Sequence, residues 1–157
     1  MYRKLLFAAA LLASSSAMAA PAAKFLTDAM KGDNSEIHLG QLISQRGASS
    51  TVRDFGNTLV TDHSQARSQV AALAQRMHVQ STDKLMPVAR AEAAKLQHLR
   101  GRAFDREVRR YMIADHEKDI AKFRAQAHGG EPHTATLARQ QLPTLEKHLH
   151  LAQSLRG

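Results

Sequence analysis

The sequence predicts an all-α protein: a bundle of four long helices, with a short helix crossing between the second and third. Three observations carry this. Ala, Leu, Gln, Arg and Lys dominate the chain after residue 22, β-branched runs are missing, and apolar residues recur at spacings of three and four. At 157 residues the chain has the length of one domain.

The N-terminus reads as a targeting segment rather than part of the fold. MYRK is a short basic region, LLFAAALLA an apolar one, and SSSAMAA places Ala17 and Ala19 at the small positions of an A-x-A cleavage site. The expectation is a signal peptide over residues 1–19, cleavage after Ala19, a bundle domain over 20–157, and a periplasmic or secreted protein. The apolar run is too short to span a bilayer, and no later segment is apolar enough to do so. The chain has no Cys, so neither lipid attachment nor a disulfide holds it, and its core must.

The first long helix is predicted over 22–46. Lys31-Gly32-Asp33-Asn34-Ser35-Glu36 has the composition of a break, but the apolar stripe runs through it in phase and keeps the helix whole. Arg46-Gly47-Ala48-Ser49-Ser50 ends it and offers Ser as the N-cap of a second helix over 50–78. Val79 to Pro87 then separates a short helix near 86–99, with Pro87 suited to its first turn. Gly101 precedes a third long helix over 102–127, and His128-Gly129-Gly130-Glu131-Pro132 stops it and starts the fourth, over 132–155. Pro143 removes a backbone bond to Arg139 and should kink that last helix. Short connections make two antiparallel hairpins, and the helix-bearing link between them leaves the second and third long helices parallel.

The formal charge is +8, falling to +6 without Arg3 and Lys4. Export, few aromatics for base stacking and dispersed basic residues argue against nucleic acid. Arg106, Arg109 and Arg110 form the densest basic patch, mainly a solvated helix face and secondarily a surface for an anionic envelope component or a protein partner.

The candidate chemistry lies on the inner stripes. In the second long helix Val52, Gly56, Leu59, His63, Ala66, Val70, Leu73 and Met77 alternate steps of four and three, which puts His63 on the core seam with Asp62 beside it. The third runs Val108, Met112, His116, Ile120, Phe123, Ala127, with Asp115 on the flank. The fourth runs Ala138, Leu142 or Gln141, Leu145, His148, Ala152, Leu155, and the first Phe25, Ala29, Gly32, Glu36, Leu39, Ile43. Each helix thus contributes one ionisable seam residue: Glu36, His63, His116 and His148. Counted from the hairpin turns, each pair lies within about a turn of the same depth.

Buried without partners, these groups would cost several kcal/mol. Three neutral imidazoles and a carboxylate suit one transition metal ion, Zn, Fe, Mn or Cu, with Asp62 and Asp115 orienting the ligands from behind. The alternative is a metal-free Glu–His network that sets helix register. Met112, one turn before His116, reads as core filler before it reads as a soft copper ligand. The other His, at 78, 98, 128, 133 and 150, fall on polar faces or loops. No nucleophile–base pair, phosphate loop or substrate cleft is foreseen, which points away from an enzyme.

Several short motifs resemble one known family. They are E-x-x-x-G (Glu36 to Gly40), V-x-x-F…DH (Val52 to His63), G-x-x-FD-R (Gly101 to Arg106), H-E (His116-Glu117) and LP-x-L-x-x-HL (Leu142 to Leu149). Together they are similar to an exported bacterial domain of unknown function with a ferritin-like four-helix bundle, whose members often carry a membrane or outer-membrane label. The resemblance spans nearly the whole chain after the leader and implies a ferritin-like fold and an envelope location, but no reaction. Ferritin-like di-iron proteins need a Glu from each of two helices and a Glu-x-x-His from each of the others. Here the second long helix has no Glu, only Asp54 and Asp62, and no seam carries Glu-x-x-His. That argues against ferroxidase chemistry and for a single metal in envelope metal handling or stress response, or for a metal-free interaction protein.

Overall fold

The computed structural model describes residues 10–156, with backbone alone for 10–19. It contains five helices and, among the described residues, no strand: α1 Ala10–Arg46, α2 Ser50–Arg76, α3 Pro87–Gln97, α4 Gly101–Gly129 and α5 Pro132–Ser154. Residues 1–9, the start of the expected signal peptide, and the side chains of Ala17 and Ala19 lie outside the described residues. No described helix is long and apolar enough to cross a membrane. Relative to the sequence expectation α1 begins earlier, at Ala10, and the other boundaries shift by no more than two residues.

Helix α1 passes unbroken through Lys31–Glu36 because the polar side chains there are used against other elements. Asn34 Nδ2 donates to the carbonyls of Thr82 (3.0 Å) and Lys84 (3.2 Å), and its Oδ1 accepts from Arg67 Nε at 2.9 Å. Ser35 Oγ accepts from the Met86 amide at 2.8 Å. Residue types that compete with helical backbone are harmless when their side chains are engaged elsewhere. What reads as a break is the dock for the α2–α3 link.

Close approach of α1 and α2 depends on two glycines. A Cβ on Gly56 would lie 2.5 Å from the Ser44 amide nitrogen and 2.7 Å from the Gly40 carbonyl oxygen; one on Gly40 would lie 2.9 Å from the Gly56 oxygen. All three are backbone atoms, so the helices must part to admit a side chain. Helix propensity alone would make Gly56→Ala stabilising by about 1 kcal/mol. Overpacking costs about 1–3 kcal/mol, so the variant is expected to be less stable than wild type in urea denaturation. A gain in stability would show that the interhelical spacing is not set here.

The turn between α1 and α2 is held by α4. Asp105, almost fully buried, accepts from the Ala48 amide at 2.8 Å and the Ser49 amide at 3.0 Å, and Ser49 caps α2 through Val52 N. Arg46 donates to the Gln97 and Leu99 carbonyls and stacks over Phe104, 5.7 Å from its centroid. Gly101 begins α4 at φ 59, a conformation that glycine adopts without strain. At the opposite end Glu131 caps α5 by accepting from the His133 and Thr134 amides. Pro143 sits inside α5, which runs on past it as one helix.

The interior is layered. One apolar cluster, around Ile43, Val52, Leu96, Phe104, Met112 and Leu155, fills the end holding the α1–α2 turn. A second, around Leu26, Val70, Phe123 and Leu137, fills the end holding the α4–α5 turn. Because α2 and α4 both start in the first cluster and cross into the second, they run parallel, as expected. The buried polar residues Asp33, Glu36, His63, His116 and His148 lie in the helix segments between the two.

Candidate metal centre

Regular helical steps carry the seam through each histidine, so α2, α4 and α5 each deliver one ring to the polar layer. His63, His116 and His148 are 5%, 1% and 0% exposed. Their ring centroids are 6.1 Å (63–116), 5.1 Å (63–148) and 5.4 Å (116–148) apart, and one ligand-capable nitrogen of each lies within 4.8 Å of the other two.

Hydrogen bonds assign the nitrogens. A neutral imidazole has one donor and one acceptor nitrogen, and the partner of one fixes the other. His116 Nδ1 donates to the Met112 carbonyl at 3.0 Å and His148 Nε2 to Asp62 Oδ2 at 2.7 Å, while His63 Nδ1 is hydrogen-bonded to Asp33 Oδ1 at 2.9 Å. The remaining nitrogens, His63 Nε2, His116 Nε2 and His148 Nδ1, are buried and have no partner. Two lone pairs, on His116 Nε2 and His148 Nδ1, are therefore free inside the protein, and His63 Nε2 supplies a third when its Nδ1 carries the proton; each ring is anchored through its other nitrogen, which is the arrangement found behind metal-binding histidines.

Burial keeps these rings neutral. It lowers His63 and His148 to about 4, in His148 against the pull of its Asp62 bond, and lowers His116 to about 3 with help from the other two imidazoles. Neutral nitrogen with an unshared pair is the form that coordinates Zn, Cu or Fe. The donor set thus fits a transition metal chemically.

The carboxyls sort differently from adjacency in the chain. Asp62 serves His148 across the bundle, not its neighbour His63, and also pairs with Lys147. Burial works to raise the Asp62 carboxyl, but the bonds from Lys147 and His148 bring it below its ordinary value. The partner of His63 is Asp33, a residue the sequence analysis left in the polar run. Asp33 stands one helical turn before Glu36, and that i, i+3 spacing was the signal available for it. Asp115 makes no hydrogen bond to His116; its negative charge acts on Glu36 instead.

Glu36, 2% exposed, lies outside the group of three histidine nitrogens, and its Oε2 has no partner. Burial first, then the negative charges of Asp115, Asp119 and Asp33, pushes it well above the usual carboxylate range. Asp33 is raised likewise by burial. Glu36 thus stands beside the histidine group as a carboxyl whose protonated form the fold favours.

A cleft of about 1120 Å³ opens beside the polar layer, where the sequence foresaw none. Its lining includes Phe25 and Gly32 of α1, His63 of α2 and Asp115, Asp119 and Phe123 of α4.

Three comparisons place the chain. The profile of a family described as "Domain of unknown function (DUF4142)" matches residues 8–155. The crystal structure of a DUF305 fragment from Deinococcus radiodurans is similar in fold, with a TM-score of 0.74 and 21% identity, covering 84% of this chain and 92% of that one. No curated protein sequence matches.

Proposed function

The chain belongs to the DUF4142 family, and from that premise we propose that it is an exported, ferritin-like bundle that binds a single transition metal through His63, His116 and His148. The observation that carries this is the set of three buried, unpartnered imidazole nitrogens within 4.8 Å of one another. Asp33, Asp62 and the Met112 carbonyl hold the rings. Glu36 and Asp115 lie outside this donor set. The crossover through α3 between parallel α2 and α4 supports the ferritin-like topology, while the absence of Glu from α2 disfavours a dinuclear carboxylate-bridged centre. Metal handling in the cell envelope is the role we assign to this three-histidine core. Exposed Arg106 and Arg109 are the surface most suited to an anionic envelope partner.

Elemental analysis of untagged protein recovered from the periplasm tests this, beside a His63→Ala/His116→Ala variant. A single metal ion per chain in wild type and none in the variant is the expected result, and intact mass of the same sample reports removal of residues 1–19. No metal in either protein, even after reconstitution with zinc and copper, would sink the reading. The anchored histidines would then stand as a network that fixes helix register.

A further inference from the structure

We propose that the cleft beside α1 and α4 is the loading route for a hydrated divalent metal ion, with Asp119 and Asp115 capturing the ion and Asp33 receiving it on the way to His63. The inference rests on the metal-binding reading above. The ends of the bundle offer no path, since apolar clusters close the polar layer on both sides. The lateral cleft does reach it. Of the three histidines only His63 borders the cleft, and its Nε2 is unpartnered although the ring is 95% buried by its 5% exposure.

Carboxyls mark the way inward in order of burial. Asp119 is 23% exposed at the rim and Asp115, one turn earlier on α4, is half-buried. Asp33, which also borders the cleft, touches His63. Asp33 Oδ2 is buried and without a partner, so it has an oxygen open to a passing cation. Gly32 on the α1 wall borders open space, since a Cβ there would meet nothing within 4 Å. Hard carboxylate oxygens exchange readily for the waters of a divalent ion, whereas imidazole nitrogen holds a transition metal longer. A cleft with acidic groups and low-dielectric walls also concentrates cations and speeds their association. Lysines already compete there: Lys24 and Lys118 border the cleft, and Lys122 donates to Asp119 at 2.9 Å and must be displaced by the incoming ion.

Stopped-flow mixing of metal-free protein with Co²⁺ alone, followed by ligand-field absorbance, tests the route. Asp115→Asn/Asp119→Asn is expected to slow loading on the order of ten-fold, while the amount bound at saturation stays at the wild-type level. Lys122→Gln is expected to speed loading, a direction that structural damage would not produce. Raising ionic strength should slow the wild type and leave the double variant nearly unchanged. Loading of the double variant at the wild-type rate, or slower loading of Lys122→Gln, would overturn the route while the site stood. Failure of wild type to bind Co²⁺ at all would instead overturn the site, and the route with it.

Discussion

Zinc is expected to stabilise the metal-free protein by about 4 kcal/mol when the free ion is 1,000-fold above its dissociation constant, because an ion bound only by the folded state adds its binding free energy to folding. For a domain of this size that is a rise in melting temperature on the order of 10–15 °C. The unfolded chain offers no such set of nitrogens in one place; the fold holds three from α2, α4 and α5 within 4.8 Å. His116→Ala should lose nearly all of the zinc-dependent rise. His116 is the most informative position, since its anchor is a backbone carbonyl that the substitution leaves in place. Calorimetry with and without chelator separates the contributions. An equal zinc-induced rise in wild type and variant would place the ion elsewhere on the surface, where exposed histidines such as His98 and His150 are available.

Replacing Glu36 by Gln is expected to stabilise the metal-free protein at neutral pH, against the usual outcome of changing a buried residue. In the fold the Glu36 carboxyl titrates well above its ordinary value, so it keeps a proton that the unfolded chain gives up above about pH 4.5. The folded state then binds more protons than the unfolded one, and stability falls as pH rises through that window, by about 1.4 kcal/mol per pH unit for one group. Gln mimics the protonated carboxyl and removes the loss. The gain should be near zero below pH 4, grow through the window, and level off above the folded titration of Glu36.

The histidines contribute with the opposite sign. Their folded values of about 3 to 4 lie below the unfolded value near 6.5, so their contribution is complete above pH 6.5 and is lost as pH falls toward 4. In wild type the two sets partly offset each other; in Glu36→Gln the acid lability of the histidines should emerge more steeply. Chemical denaturation of both proteins from pH 4 to pH 8 measures this. A uniform destabilisation of Glu36→Gln across that range would mean that the carboxyl is ionised in the fold.

Much of the centre was legible because a helix converts spacing into direction. Steps of three and four through Leu59, His63, Val70 and through Met112, His116, Ile120 leave no freedom about which face those rings take, and all of these residues are buried. The stripe of α1 was less clear. Periodicity puts Phe25 and Gly32 on it, whereas Leu26, Met30 and Asp33 are the buried residues around Ala29 and Glu36. Apolar side chains on two adjacent faces of α1 gave no means of choosing between them, so Asp33 was passed over. In α5 the choice between Gln141 and Leu142 fell to Gln141, which is buried and reaches toward the Ala66 carbonyl of α2.

The amino-acid sequence by itself determined the helices, their order, the parallel course of α2 and α4, and the three histidines that point inward, because periodicity and caps are local properties of the chain. Only the tertiary structure decided which carboxyl serves which histidine. Neighbours on a helix diverge by about 100°, so Asp62 reaches His148 some 86 residues away rather than His63 beside it. The same holds for Asp33 at His63, for Asp105 under the α1–α2 turn and for the cleft between the hairpins. Each depends on how separate helices are set against one another, and that distance is written in packing rather than in spacing.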